Sequence, residues 1–217
     1  MEIIFGTHNP SKLKLYQTFF SKYNITVLGL KDIDCNIDVE EDGITPHDNA
    51  ILKAKAYAKA LNKIVVADDS GLYFDNIPSS LQPGSFIRRV NGRVLSDDEI
   101  ITHYTALVEK YGTISNDMYD SYTGEYKKLV GRYIKSVAIC IGEDTYSCDY
   151  DVTKYFLNKA MPILNPGFPM DSMSITPKFN KLTLNLTKEE NATLIAEENK
   201  PVTDAIDKWV QIINTKL

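Results

Sequence analysis

Hydrophobic and polar positions fall into two recurring patterns along this chain. Short unbroken apolar runs read as buried strands, and stretches with apolar residues three or four apart read as amphipathic helices. Glu2-Ile3-Ile4-Phe5-Gly6 is the first run, followed by a helical pattern through Leu13, Leu15, Tyr16, Phe19 and Phe20. A second helical face carries Ala50, Ala54, Tyr57, Ala58 and Leu61, and the apolar run Ile64-Val65-Val66 comes directly after it. The segment Asn76–Ser85 is rich in Pro, Gly and Ser, and a helix is expected from about Asp97 to Tyr111. Tyr133–Ile141 and Thr145–Thr153 read as paired strands turning at Gly142-Glu143-Asp144. The polar, tyrosine-rich run Asn116–Lys128 has no clear period and reads as a loop or hairpin extension. A last helix from about Val202 to Leu217 places Val202, Ile206, Trp209, Val210 and Ile213 on one stripe, with Trp209 in the core. Strands alternating with helices, then a strand-rich second half without repeat or linker, predict an α/β fold. We expect one domain over residues 1–217, built around a long, mixed, twisted sheet with a central cleft.

Composition narrows the setting. The 217 residues are 43% hydrophobic, enough for a full core, and no apolar run approaches the length of a membrane span. The first strand lacks the basic flank and apolar stretch of a signal peptide. Cys35, Cys140 and Cys148 are an odd count without metal-ligand spacing, which fits reduced thiols and a cytoplasmic location. A net charge of -5 and a pI near 5.3 lack the basic footprint of a protein that tracks polymeric nucleic acid.

Three polar segments carry candidate chemistry. Ala67-Asp68-Asp69-Ser70-Gly71-Leu72 places two neighbouring carboxylates where a buried strand is expected to end, a suitable place for Mg²⁺ and an activated water. The same residues also make an ordinary turn, since Asp and Ser bond their own backbone and Gly accepts positive φ. Thr7-His8-Asn9-Pro10-Ser11-Lys12 lies between the first strand and the first helix, where free helix N–H groups suit an anionic oxygen, and where a plain Asn9 or Ser11 cap is equally suited. Glu40-Glu41-Asp42 precedes the second helix and also reads as a plain surface loop; Lys53 and Lys55 are expected near that helix's start, where a lysine pointing back into a cleft is better explained by a bound anion than by helix stability, while solvation is the default for Lys55. The histidines His8, His47 and His103 are scattered, and Mg²⁺ prefers oxygen ligands, so of these only His8 is expected to meet substrate.

The succession Thr7, Asn9, Lys12; then Glu41, Gly43, Thr45, Asn49, Ala50, Lys53, Ala54; then Ala67 through Leu72 resembles the inosine triphosphate pyrophosphatase family, also called the Ham1 or non-canonical purine NTP pyrophosphatase family. The resemblance is clear over about the first hundred residues, and three ordered motifs at matching separations are far more specific than one. Beyond them the chain departs. The family's Pro-Gly-x-x-Ser-Ala-Arg-Tyr appears as Pro83-Gly84-Ser85-Phe86-Ile87-Arg88-Arg89-Val90, and Gly-Phe-Gly-Tyr-Asp-Pro as Gly167-Phe168-Pro169-Met170-Asp171-Ser172. The family's Ser-His-Arg, which contacts the purine, falls on Thr203-Asp204-Ala205, and the lysine just upstream falls on Asn199, with Lys200 one residue away.

The resemblance implies hydrolysis of a free nucleoside triphosphate to the monophosphate and pyrophosphate. In that reading Glu41 and Asp69 hold Mg²⁺, Asp69 is also the general base, and Asp68 is a further carboxylate of the site. Lys12 and Lys53 hold the phosphates, with Thr7, Asn9, Ser70 and Gly71 around them. Phe168 stacks on the base, Asp171 lies near it, and Arg89 completes the pocket. A homodimer through Leu81–Val90 is also implied. Base specificity is expected to be altered: Asp204 offers only acceptors, which would favour an amino group on the base, unless the last helix is shifted and Asp204 faces solvent. Two alternatives stay open, a hydrolase for a canonical, pyrimidine or modified nucleotide, and a nucleotide-binding protein that has lost turnover.

Overall fold

A computed structural model describes residues 1–119, 124–163, 165 and 168–216. Gly167 of the Gly-Phe motif, part of the expected Asn116–Lys128 loop and Leu217 lie outside the described residues. The elements run β1 (Glu2–Phe5), α1 (Pro10–Phe20), β2 (Thr26–Gly29), α2 (Pro46–Leu61), β3 (Val65–Phe74), β4 (Arg89–Val90), β5 (Arg93–Val94) and α3 (Asp97–Tyr111). They continue with β6 (Thr113–Ser115), β7 (Tyr126–Ile141), β8 (Asp144–Leu157), β9 (Ser174–Thr176), β10 (Lys181–Leu182), α4 (Lys188–Glu198) and α5 (Lys200–Lys216). Among the described residues the main sheet has the order β10-β9-β8-β7-β3-β1-β2, with β6 also paired to β7. Its parallel pairs are β1 with β2 and β1 with β3, while β8, β9 and β10 are antiparallel neighbours, so the sheet is mixed as expected.

The chain divides into two compact units. The first comprises Met1–Ser70, Ile134–Tyr150 and Asn199–Leu217. Its strands alternate between two buried faces, which is why they read as continuous apolar runs rather than as a polar alternation. Ile3, Phe5, Val66, Val137, Ile139 and Ile141 pack with Tyr16 and Phe20 of α1 and the Val202, Ile206, Trp209, Val210 and Ile213 stripe of α5. Ile4, Val65, Ala67, Ala138 and Cys140 face the other way, against Ala50, Ala54, Tyr57 and Ala58 of α2. Trp209 is a core residue, as its helical spacing predicts.

The second unit comprises Gly71–Tyr133 and Asp151–Glu198. Leu72 and Phe74 of β3 pack with Ile100, Tyr104, Leu107 and Val108 of α3 and with Leu129, Phe156 and Met173. The α3 helix spans the expected residues because Ser96 and Glu99 form a reciprocal capping box and Asp97 and Asp98 complement the helix dipole. The hairpin extension is present in part: β6 pairs antiparallel with the start of β7, and Tyr119 and Tyr126 are buried rather than solvated.

Two expectations are corrected here. The strands flanking Gly142-Glu143 are longer than the alternation indicated, beginning at Tyr126 and ending at Leu157. More consequentially, Asp68-Asp69-Ser70-Gly71 is neither a turn nor a strand end, because β3 passes straight through it from Val65 to Phe74. The turn preference of these residues is overridden by backbone pairing in a strand flanked by β1 and β7.

Candidate active site

Continuity of β3 separates the two acids. Neighbouring side chains on a strand point to opposite faces, so Asp68 follows Val66 toward α1 while Asp69 follows Val65 and Ala67 toward α2. The two neighbouring carboxylates therefore form two separate ion pairs. On the first face, Lys12 of α1 places its Nζ 3.0 Å from Asp68. Burial alone would depress the Lys12 ammonium, but Asp68, with Asp69 and Glu41 farther off, outweighs it and holds the pKa above the ordinary value. The Tyr16 ring, stacked on Phe5, belongs to the same face, and burial, aided by the Asp68 charge, pushes its phenol well up.

On the other face, Asp69 is 8% exposed and accepts from Asn49 Nδ2 at 3.1 Å. Lys53 Nζ lies 3.5 Å from Asp69 Oδ1 and 3.1 Å from Glu41 Oε1, so one buried ammonium ties the acidic loop to the strand. Lys53 is not in the first turn of its helix: α2 begins at Pro46, two turns earlier, with Thr45 as its cap. Its position is explained by these two carboxylates and not by proximity to the helix end. Thr45 and Asp48 form a reciprocal capping box, and Asn49 Oδ1 accepts from Gly43 N–H at 2.8 Å, so two more motif residues shape the Glu41 loop.

The N-terminal turn is a working cap. Asn9 Oδ1 accepts from the backbone N–H groups of Ser11 and Lys12, and Thr7 Oγ1 accepts from Asn9 N–H at 3.1 Å. Both side chains therefore set the turn's geometry, while His8 is exposed. Gly71 answers a packing need: a Cβ there would lie 2.9 Å from the Gly84 carbonyl carbon and 2.9 Å from the Tyr73 ring. That close approach lets Leu72 and Gly84 exchange backbone hydrogen bonds, so the Pro83-Gly84 motif docks on β3.

The residues expected near the base belong to the second unit. Phe168 is 48% exposed, and its backbone opens the 3-10 turn Pro169–Ser172 that carries Asp171. Burial raises the Asp171 carboxyl against the lowering effect of Asn165, whose Nδ2 donates to it at 2.9 Å. Arg89 is exposed and lies over the Phe86 ring. Asp204, where the resemblance aligns the family's Ser-His-Arg, lies on the surface of α5, pairs with Lys200 at 2.6 Å and faces solvent. An amino-group preference argued from a buried Asp204 acceptor thus loses its basis.

Among the described residues no three His, Cys, Asp or Glu side chains are gathered into a ready metal centre. The donor set nevertheless suits Mg²⁺, which commonly takes one or two protein carboxylates and completes its shell with substrate phosphates and water. Glu41 and Asp69, held near one another by Lys53, meet that description. His47, by contrast, pairs with Asp149 at 2.8 Å.

An α/β scaffold presenting strand-borne acids beside lysines that hold them as ion pairs defines a class suited to polyanionic phosphate chemistry. The chain belongs to the Ham1 family, whose model matches residues 3–120. It is 33% identical over 190 residues to the dITP/XTP pyrophosphatase of Bacillus subtilis (strain 168), covering 87% of each chain. The fold is shared with the solved Ham1 protein of Staphylococcus aureus (TM-score 0.71, 24% identity, 97% and 98% of the two chains). It is likewise shared with a HAM1 protein from Coxiella burnetii (TM-score 0.73, 21% identity, 97% and 98%).

Proposed function

We infer that this protein is a nucleoside triphosphate pyrophosphohydrolase, releasing pyrophosphate and a nucleoside monophosphate from a free nucleotide. The observation that carries the reading is Lys53, a buried ammonium joining Glu41 to Asp69 on one face of β3, in a chain homologous to a dITP/XTP pyrophosphatase. Lys12 and Lys53 neutralise the phosphate tail, and each has a carboxylate partner to yield when phosphate arrives. Glu41 and Asp69 would hold Mg²⁺, which when bound neutralises phosphate charge and polarises the phosphoryl group. Asp69 accepts the proton of the attacking water at its carboxylate, and the Asn49 amide fixes that carboxylate's orientation. Asp68 keeps Lys12 charged and in place. Thr7, Asn9, Ser70 and Gly71 shape the backbone around the phosphates, Phe168 stacks on the base, and Asp171 and Arg89 border it.

Base recognition uses residues other than the family's Ser-His-Arg, and the substrate is free nucleotide rather than polymer, in keeping with the net charge of -5. No helix among the described residues is long and apolar enough to cross a membrane. We place the protein in the cytoplasm as a homodimer joined near Leu81–Val90, where Leu81 and Phe86 are exposed. The deciding experiment measures pyrophosphate release from a panel of purine and pyrimidine triphosphates with and without Mg²⁺. Metal-dependent release supports the reading, and its absence for every nucleotide would leave a binding protein.

A further inference from the structure

His47 is one of the three residues between Thr45 and Asn49 that the resemblance leaves unassigned, and it is the second residue of α2. Its Nδ1 lies 2.8 Å from one oxygen of Asp149 and 3.1 Å from the other. An ionised carboxylate only accepts, so Nδ1 carries the proton. Asp149, on β8, is itself held: Ser136 Oγ of β7 donates to its Oδ1 at 2.6 Å. Ser136 is 1% exposed, so a hydroxyl taken out of water is committed to orienting this carboxylate. The His47 and Asp149 side chains are 41% and 51% exposed, and an ion pair so open to water usually adds little to stability. A buried hydroxyl aimed at the carboxylate, and a contact that reaches both its oxygens, fix a direction more than they supply an energy.

The other flank of the same turn gives that direction a use. Residues two apart on a helix project about 200° apart, so His47 and Asn49 leave α2 on opposite flanks. Asn49, buried, accepts from Gly43 N–H at 2.8 Å and donates to Asp69 at 3.1 Å, which joins the Glu41 loop to the strand bearing the proposed proton acceptor. Strands β3, β7 and β8 are successive in the sheet. The first turn of α2 is therefore fastened to β3 through Asn49 and to β8 through His47, with β7 between them supplying Ser136. Fastening on both flanks resists rotation of the turn about the helix axis, a motion that would carry the Asn49 amide away from Asp69 and Gly43 together. The Thr45 and Asp48 capping box closes the turn upon itself, so it shapes the turn without orienting it on the sheet. We propose that His47 and Asp149 are positioning residues of the nucleotide site, their pairing locking the first turn of α2 so that Asn49 holds Asp69 and the Glu41 loop together. The catalytic consequence rests on the nucleotide hydrolase reading above, and the clamp itself does not.

The test begins with nucleotide-free protein. Amide hydrogen exchange read by NMR follows Gly43, whose N–H is bonded to Asn49, with Ala54 and Ala58 farther along α2 as controls. His47→Phe should speed Gly43 exchange about tenfold and leave Ala54 and Ala58 within about twofold, as a local opening does. His47→Arg, whose guanidinium can grip both Asp149 oxygens, should return Gly43 to near the wild-type rate. In pyrophosphate release, His47→Phe should lower kcat about fivefold or more with KM changed less than about twofold, because the orientation of Asp69 counts in the transition state while Lys12 and Lys53 still meet the phosphates. Unchanged Gly43 exchange overturns the proposal, and so does equal acceleration at Ala54 and Ala58, the mark of a merely structural pair. Faster Gly43 exchange with unaltered kcat overturns it as well. Should His47→Phe fail to fold, Asp149→Ala breaks the pair from the strand side and carries the same comparison. If the wild type hydrolyses no nucleotide, the hydrolase reading fails, and Gly43 exchange still decides the clamp.

Discussion

Replacing Asp69 by asparagine isolates the proposed proton acceptor. The side chain keeps its shape and an oxygen for the Asn49 amide, while losing the charge that attracts Lys53 across 3.5 Å. That is a long ion pair, and Lys53 retains Glu41 at 3.1 Å. Removing the charge also relieves the cost of keeping a carboxylate 8% exposed. These opposing effects nearly cancel, so Asp69→Asn is expected to change the unfolding free energy by no more than about 1 kcal/mol. Turnover behaves differently, because an asparagine cannot take a proton from water. A loss of about 10²- to 10⁴-fold in kcat is expected, or about 3–5 kcal/mol of barrier. Nucleotide affinity should stay within about tenfold. Single-turnover pyrophosphate release, thermal unfolding and calorimetric binding measured on one preparation separate the three quantities. A variant retaining more than about a tenth of the wild-type rate, with unaltered stability, refutes the role of Asp69 as base.

Four further outcomes are expected. Lys53→Met should raise KM for nucleotide more than tenfold and destabilise the fold by about 2 kcal/mol, a buried-pair loss reduced because Glu41 is 43% exposed, read by steady-state kinetics and chemical denaturation. Gly71→Ala forces a methyl against the Gly84 backbone and should cost on the order of 2 kcal/mol in the same denaturation assay, with no such loss expected for Gly142→Ala beyond the strain of its positive φ. Because burial raises the Asp171 pKa, the folded form holds its proton to higher pH than the unfolded chain; wild-type stability should therefore fall as pH rises above 3.8 through the folded pKa, and Asp171→Asn should flatten that limb of the unfolding curve. Light scattering at micromolar concentration should give twice the 24.5 kDa chain mass, and Phe86→Arg should return it to the monomer value.

The sequence made some of this legible and concealed the rest for identifiable reasons. The α3 boundaries could be read because Ser96, Asp97, Asp98 and Glu99 are all local signals. The α5 stripe could be read because one face meets one core. β3 was misread at Asp68-Asp69-Ser70-Gly71, whose local preference is for a turn and whose strand conformation is imposed by its sheet neighbours. The start of α2 was placed late because its first turn is polar, and α4 was not read at all because Leu194 is its one buried position and leaves no apolar stripe. The lysines at 12 and 53 stood out through their motifs, whereas His47 looked like any surface histidine until Asp149, 102 positions later, was found beside it.

The interleaving of the two units bears on how the protein is made. Lys12, Glu41, Lys53, Asp68 and Asp69 all precede Gly71, yet the unit that holds them is completed only by Ile134–Tyr150 and by Asn199–Leu217. On the ribosome, the face of β3 beyond Val66 waits for the α5 stripe, which begins 136 positions later at Val202. The Asp68 and Asp69 strand must therefore remain without its full core until α5 has been made, at about 5–20 residues per second. Premature stop codons anywhere in α5 should yield chains that contain every proposed catalytic group and still fail to fold, so quality control of this enzyme is exercised at α5.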